Sequence, residues 1–228
     1  MKQRLELMMS VIVLICACIV AKTSAVYVTG RQVKEQKDCI MIDVGHGGLD
    51  SGKVGVNGEL EKDINLQIAL KLKKTLEEKN KTVVMTREDD KGLYDENSSN
   101  KKVQDLQRRC DLINETKPLV TISIHQNSYT SPQIKGAQVF YYTTSTESQE
   151  LAQVIQDTLI QEVDPENHRQ AKANNTYYLL KRTSSPIVIV ECGFLSNPDE
   201  CEKLSDEKYQ QKMADAICKG IFSYMEEQ

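Results

Sequence analysis

The chain has 228 residues, 39% hydrophobic and 27% charged, with a formal net charge of −4. That length suits one domain with a full core. The slight acidic balance is the opposite of the basic surplus of nucleic-acid-binding domains, so no nucleic acid is expected among its partners.

Residues 1–25 stand apart. Lys2 and Arg4 precede a run from Leu7 to Ala21 that is apolar apart from Ser10. The run is shorter than the roughly 20 residues that a membrane-spanning helix needs. Lys22-Thr23-Ser24-Ala25 follows, with small residues suited to cleavage. The pattern is that of a secretory signal peptide, with a short uncleaved membrane anchor as the alternative. A lipid-modified Cys18 fits less well, because Leu14-Ile15-Cys16-Ala17 makes a poor lipobox. Each reading puts the rest of the chain outside the cytoplasmic membrane. Residues 26–38 read as a polar linker and 39–228 as the folded domain.

The domain opens on Cys39 to Gly48, CIMIDVGHGG. Ile40 to Val44 is a strand, and His46 sits just past its end between glycines. Glycine tolerates backbone conformations that a Cβ resists, and it leaves room for a ligand to approach the main chain. Gly47 to Gly58 is a loop holding five glycines. Leu60, Ile64, Ile68, Leu72 and Leu76 then recur at helical spacing, predicting a helix from about Leu60 to Glu78. Lys81 to Arg87 is a second strand, and Glu88 to Lys102 a charged surface loop. Lys101 to Asn114 has helical spacing at Val103, Leu106, Cys110 and Ile113. Leu119 to Ile124 is a strand that ends at His125. Gly136 to Tyr142 is another, and Ser145 to Val163 a helix. Asp164 to Asn175 reads as polar loop, Tyr177 to Leu180 as a short strand, and Ile187 to Val190 as a strand ending at Glu191. Two helices follow, near Asp199 to Lys203 and over Glu207 to Met225.

Strands alternating with helices imply an α/β fold: a single domain with a mostly parallel twisted sheet and helices on both faces. Five cysteines lie in the domain (Cys39, Cys110, Cys192, Cys201, Cys218), with no C-x-x-C pair. They read as buried free thiols rather than a zinc ribbon or redox motif.

Three strands therefore end in an ionisable residue: His46, His125 and Glu191. Parallel strands share one C-terminal edge, where open α/β sheets carry their chemistry. Glu61, in the first turn of the helix after the first strand, opens toward the same edge. Two imidazoles, one carboxylate and a free position make a catalytic zinc site, and a further carboxylate can serve as general base. His46, Glu61 and His125 supply the ligands in that scheme and Glu191 the base. The intervals of 15, 64 and 66 residues form no local motif.

The surrounding stretches IMIDVGHGGLDSG, GELEKDINLQIALKLK, VVMTRED, ISIHQN, GAQVFYY and IVIVECGFLSNPDE resemble, in order, those of the zinc-dependent N-acetylmuramoyl-L-alanine amidases of the amidase-3 type. The resemblance runs from about Cys39 to Tyr224. It implies zinc on His46, Glu61 and His125, and Glu191 as the catalytic carboxylate. Val44 and Gln126 depart from the family's usual proline and alanine. KKVQDLQRRCDLIN and KYQQKMADAICKGI resemble helices of the germination-specific spore-cortex amidases. That likeness implies cleavage of the amide between the lactyl group of N-acetylmuramic acid and L-alanine of the stem peptide, so that muramic δ-lactam can form. Peptidoglycan is the implied partner, in the cell wall or spore cortex space. An activating or anchoring protein is a further possibility that the sequence does not identify.

Bland roles compete at each position. Glu59 lies two residues from Glu61 and reads as solvated, and Asp63 as a first-turn acid. Glu191 could pair with Arg87 instead of serving catalysis. Arg87 and Asn127 could orient substrate or support the site, His168 reads as solvated, and Arg169 could meet substrate. Cys192 reads as structural. A zinc peptidase cutting within the stem peptide, or a non-catalytic wall-binding module, are the alternative functions. The short segment between His125 and Gly136 leaves no place for an inserted helix that would block the metal.

Overall fold

A computed structural model describes residues 39–226; the export segment and the linker expected over 1–38 lie outside the described residues. Six strands form one sheet in the order β2-β1-β3-β6-β4-β5: β1 (Cys39–Val44), β2 (Thr82–Met85), β3 (Val120–Asn127), β4 (Gln138–Tyr142), β5 (Lys172–Asn174) and β6 (Ile187–Phe194). β2, β1, β3 and β6 run parallel, and β4 is antiparallel to β6. Among the described residues six helices accompany them: α1 (Glu61–Glu78), α2 (Lys101–Thr116), α3 (Thr146–Glu162), α4 (Tyr178–Arg182), α5 (Pro198–Ser205) and α6 (Glu207–Glu226). The expected mostly parallel α/β sheet is the one observed.

Strand alternation divides the core in two. Ile40, Ile42 and Val44 of β1 join Val120, Ile122, Ile124, Val188 and Val190 under α1, α3 and α6. Met41, Ile187 and Ile189 turn to the other face, with Cys110 and Ile113 of α2 and Leu179 and Leu180 of α4. The central strands carry apolar side chains on both faces because helices cover both. Of the stripe predicted from Leu60, Ile64, Ile68, Leu72 and Leu76, the last four are buried along α1 and Leu60 is half-buried at its cap.

The expected strand over Tyr177 to Leu180 is instead the short helix α4. The Asn174 side-chain carbonyl accepts from the amides of Thr176 (2.7 Å) and Tyr177 (2.9 Å), which turns the chain sharply. Aromatic and aliphatic residues that suit a strand then pack as a helix over the second core. β5 is drawn from the expected loop: Lys172–Asn174 pairs with the free edge of β4. Glu191 and His125 also lie within longer strands, not just past their ends.

Candidate metal centre

β1, β3 and β6 are neighbours, so their C-terminal ends meet at one place. His125 and Glu191 face one another in register. The sheet loses regular register just beyond them, between His125 and Asn127, as bulges next to active sites often do. His46 follows β1 in a left-handed conformation, φ 62°, which is uncommon for a residue with a Cβ and clusters at functional sites.

Glu61 reaches this edge because the glycine loop caps α1 with its own backbone. The Glu61 and Lys62 amides donate to the carbonyls of Lys53 (2.9 Å) and Ser51 (3.1 Å). The Glu61 side chain returns the contact: Oε2 accepts from the Lys53 amide at 2.8 Å, and Oε1 from the Gln126 amide at 3.1 Å. Oε1 also lies 3.1 Å from His46 Nε2 and 3.0 Å from His125 Nδ1. The two imidazole rings meet edge to face, centroids 5.0 Å apart.

One donor atom from each of His46, Glu61 and His125 falls within 4.8 Å of the others. In a tetrahedral zinc site, ligands at 2.0–2.1 Å stand about 3.3 Å apart, so the observed spacing needs little adjustment to accept an ion. Two imidazole nitrogens and one carboxylate oxygen are a donor set that zinc favours. Burial alone would raise the Glu61 carboxyl, but the two imidazoles overcome it and hold it well below the usual carboxylate range. Glu61 in turn raises His125 against the effect of burial. The three residues thus fit a divalent metal.

Glu191 differs from Glu61 although both carboxylates are buried. Burial, with the neighbouring Glu61 charge, pushes its carboxyl up to about 7, against the opposing pull of His125, His46 and the Tyr177 hydroxyl. Its Oε2 is buried and has no hydrogen-bond partner among the described residues. A buried carboxylate with a free oxygen and a pKa near neutrality is suited to carry protons.

Several expectations about the neighbours change. The glycines make room for the protein's own site rather than open space. A Cβ on Gly45 would strike the His125 ring, and one on Gly52 (φ 66°) would come within 2.8 Å of both Glu61 and His46. Arg87 does not pair with Glu191; it bonds backbone carbonyls. Arg169 packs over the Phe194 ring at 4.7 Å and bonds the Lys135 carbonyl and Gln138, which ties its loop to the start of β4. Asn127 accepts from the Ser128 amide. Glu59 and His168 are exposed as expected, and Cys192 is fully buried, its thiol pushed up by burial. Segment 128–137 contains turns and no helix, as expected.

Sequence reasoning missed three residues. Asp50 Oδ2 lies 3.0 Å from His46 Nδ1, a close contact but not an aligned hydrogen bond. Its place four residues after His46 was a usable signal. Tyr177, stacked edge-on against Phe140 with centroids 5.5 Å apart, was hidden by the strand reading of its segment. Arg109 lies 63 residues from His46 and bonds its carbonyl, with no local signal. A cavity of about 220 Å³ adjoins the turn, between Leu49, Asp50, Tyr94 and Lys102. A larger open groove of about 800 Å³, by Lys203, Tyr209 and Lys212, includes none of the four candidate residues.

The chain is similar to known proteins. A family model described as N-acetylmuramoyl-L-alanine amidase matches residues 40–223. The chain is 41% identical over 191 residues to a germination-specific N-acetylmuramoyl-L-alanine amidase of Bacillus subtilis, covering 82% of this chain and 80% of that one. Among solved structures, the CwlD amidase of Clostridioides difficile in complex with the GerS lipoprotein matches with 40% identity and a TM-score of 0.82. That match covers 84% of this chain and all of the CwlD chain. An N-acetylmuramoyl-L-alanine amidase of Clostridium difficile 630 matches at 34% identity and TM-score 0.75, over 83% and 97% of the two chains.

Proposed function

The chain belongs to the N-acetylmuramoyl-L-alanine amidase family, and from that premise we propose that His46, Glu61 and His125 hold zinc while Glu191 carries the proton. The enzyme hydrolyses the amide between the lactyl group of N-acetylmuramic acid and L-alanine of the peptidoglycan stem peptide. The observation that carries the residue assignment is the meeting of one imidazole pair, one charged carboxylate and one carboxylate near neutrality at the end of three adjacent strands.

Zinc, when bound, lowers the pKa of water and polarises a carbonyl oxygen. The protein's part is to fix and protonate. Glu61 stays ionised, its orientation set by the Lys53 and Gln126 amides. Glu191, in its ionised form, accepts a proton from the attacking water as the water oxygen bonds the lactyl carbonyl carbon. It then gives that proton to the L-alanine nitrogen as the C–N bond breaks. The Tyr177 hydroxyl lowers the Glu191 carboxyl against the effect of burial, and so favours its ionised form.

Spore cortex is the proposed substrate layer, since the Bacillus subtilis relative is germination-specific. Export follows from the same setting and from the charged and apolar start of the sequence; no helix among the described residues is long and apolar enough to cross a membrane. A lipoprotein is the partner class to seek, because the C. difficile relative was solved with one.

Mass spectrometry of digested peptidoglycan tests the reaction. Free stem peptides and intact glycan are expected. Split peptides would instead support a peptidase, and no products a binding module. Cortex muropeptides from cells lacking the gene test the location: muramic δ-lactam present at normal levels would overturn the cortex assignment.

A further inference from the structure

We propose that Arg87 and Arg109 are positioning residues that together clamp the backbone of the His46 turn and hold the candidate metal ligands in place. The inference rests on the zinc reading for its consequence, but not for its geometry.

A left-handed residue between glycines has no regular hydrogen-bonding partner for its carbonyls, and buried carbonyls need donors. At this turn two buried guanidiniums supply them. The His46 carbonyl accepts from Arg87 Nε at 2.9 Å and from Arg109 Nη2 at 2.6 Å. The Gly45 carbonyl accepts from Arg87 Nη2 at 3.1 Å. The Val44 carbonyl accepts from both arginines. Three consecutive carbonyls are thus held by side chains from β2's end and from α2.

Arg87 does more than hold one turn. The same Nη2 donates to the Lys62 carbonyl at 2.8 Å, in the first turn of α1 next to Glu61. One guanidinium therefore fixes the spacing between the segment carrying His46 and the segment carrying Glu61. Arg109 is anchored from behind by Asp43 (2.8 Å) and Asp105 (2.5 Å), and these carboxylates keep it charged despite burial. Arginine suits the task because its five donors lie in a rigid plane; lysine offers a compact charge with no fork. Two like charges converging on one oxygen are costly without such partners, which argues for a positional role.

The test uses Arg87→Lys and Arg109→Lys, with Ser123→Ala as control. Ser123 bonds Asp43 at 2.6 Å, so its loss loosens the same buried network without touching the His46 carbonyl. Two quantities are measured in the full chain: zinc affinity by chelator competition, and amide exchange of Gly47 and Asp50, which pair with each other across the turn, in metal-free protein. The lysine variants should bind zinc about 10–100-fold more weakly, the usual effect of losing a group that orients a ligand. Both amides should exchange faster than in wild type, and the control should change neither quantity. Unchanged exchange at Gly47 and Asp50 in a folded lysine variant overturns the proposal, as does an equal change in the control. Should Arg109→Lys fail to fold, Arg87→Lys decides alone. Should wild type bind no zinc, the metal reading falls and the exchange result still judges the clamp.

Discussion

Replacing Glu191 by glutamine keeps the shape of the side chain and removes its ionisable proton. The residue is only 7% exposed, so the change acts where solvent does little to soften it. Loss of a positioned general base costs about 10²–10⁴-fold in rate, or about 3–5 kcal/mol of transition-state stabilisation. Zinc content should stay at the wild-type level, because Glu191 is not among the three grouped donors. The pH profile should change as well. Wild-type kcat/KM should fall with acid as Glu191 takes up its proton, at or below pH about 7, since a bound cation favours the carboxylate. The residual activity of Glu191→Gln should lack that limb.

Stability should move the other way. The folded pKa of Glu191, about 7, lies above its ordinary value of 4.5. The stability it contributes is therefore full below pH 4.5 and is lost as pH rises through about 7. At about 1.4 kcal/mol per pH unit the loss by pH 8 reaches at most about 3 kcal/mol. Metal-free Glu191→Gln escapes it and should melt up to about 10 °C above metal-free wild type at pH 8, with the difference vanishing near pH 4.5. Turnover, zinc analysis and thermal melts read the three effects. A variant within tenfold of wild-type turnover, or one no more stable at pH 8 than at pH 4.5 relative to wild type, refutes the reasoning.

His46→Ala should remove a metal ligand and leave the purified protein with little zinc by elemental analysis; full zinc content would exclude His46 from the ligand set. Gly45→Ala should drive a Cβ into the His125 ring, with overpacking costing about 1–3 kcal/mol and zinc affinity falling along with stability; a denaturant midpoint and affinity equal to wild type would contradict the close approach. Asp43→Asn should destabilise by about 3 kcal/mol, because one partner of a buried ion pair is removed. Arg109 and Ser123 outweigh burial and hold the Asp43 carboxyl below 3.8. Its contribution is therefore present above about pH 4 and lost as pH falls through the depressed value, so the wild-type stability advantage over Asp43→Asn should shrink in acid; an advantage constant from pH 7 to 3 would oppose this.

Much of the fold follows from local pattern. The four-residue recurrence from Leu60 to Leu76 has one reading, a helix with one buried stripe, and the stripe is buried from Ile64 to Leu76, with Leu60 half-buried at the helix cap. Alternation of strand and helix implies parallel strands, because a helix carries the chain back across the sheet. Parallel strands bring His46, His125 and Glu191 to one edge whatever their separation in sequence. The assignments failed where a segment's own preference was weak and its surroundings decided. Tyr177 to Leu180 has strand-like residues, yet one Asn174 side chain and a core beneath α4 make it helical. Lys172–Asn174 has little strand character and is ordered by the open edge of β4.

The sequence by itself determined which residues are available for chemistry and at which edge they gather, since strand direction and residue type are local properties. Only the tertiary structure decided what each one is. Glu61 and Glu191 are the same residue type with opposite pKa shifts, because one lies between two imidazoles and the other is buried with an unpaired oxygen. Arg87 and Arg109 became part of the site because their guanidiniums reach the His46 carbonyl from 41 and 63 residues away. Long-range packing sets such contacts, and no spacing rule in the chain encodes them.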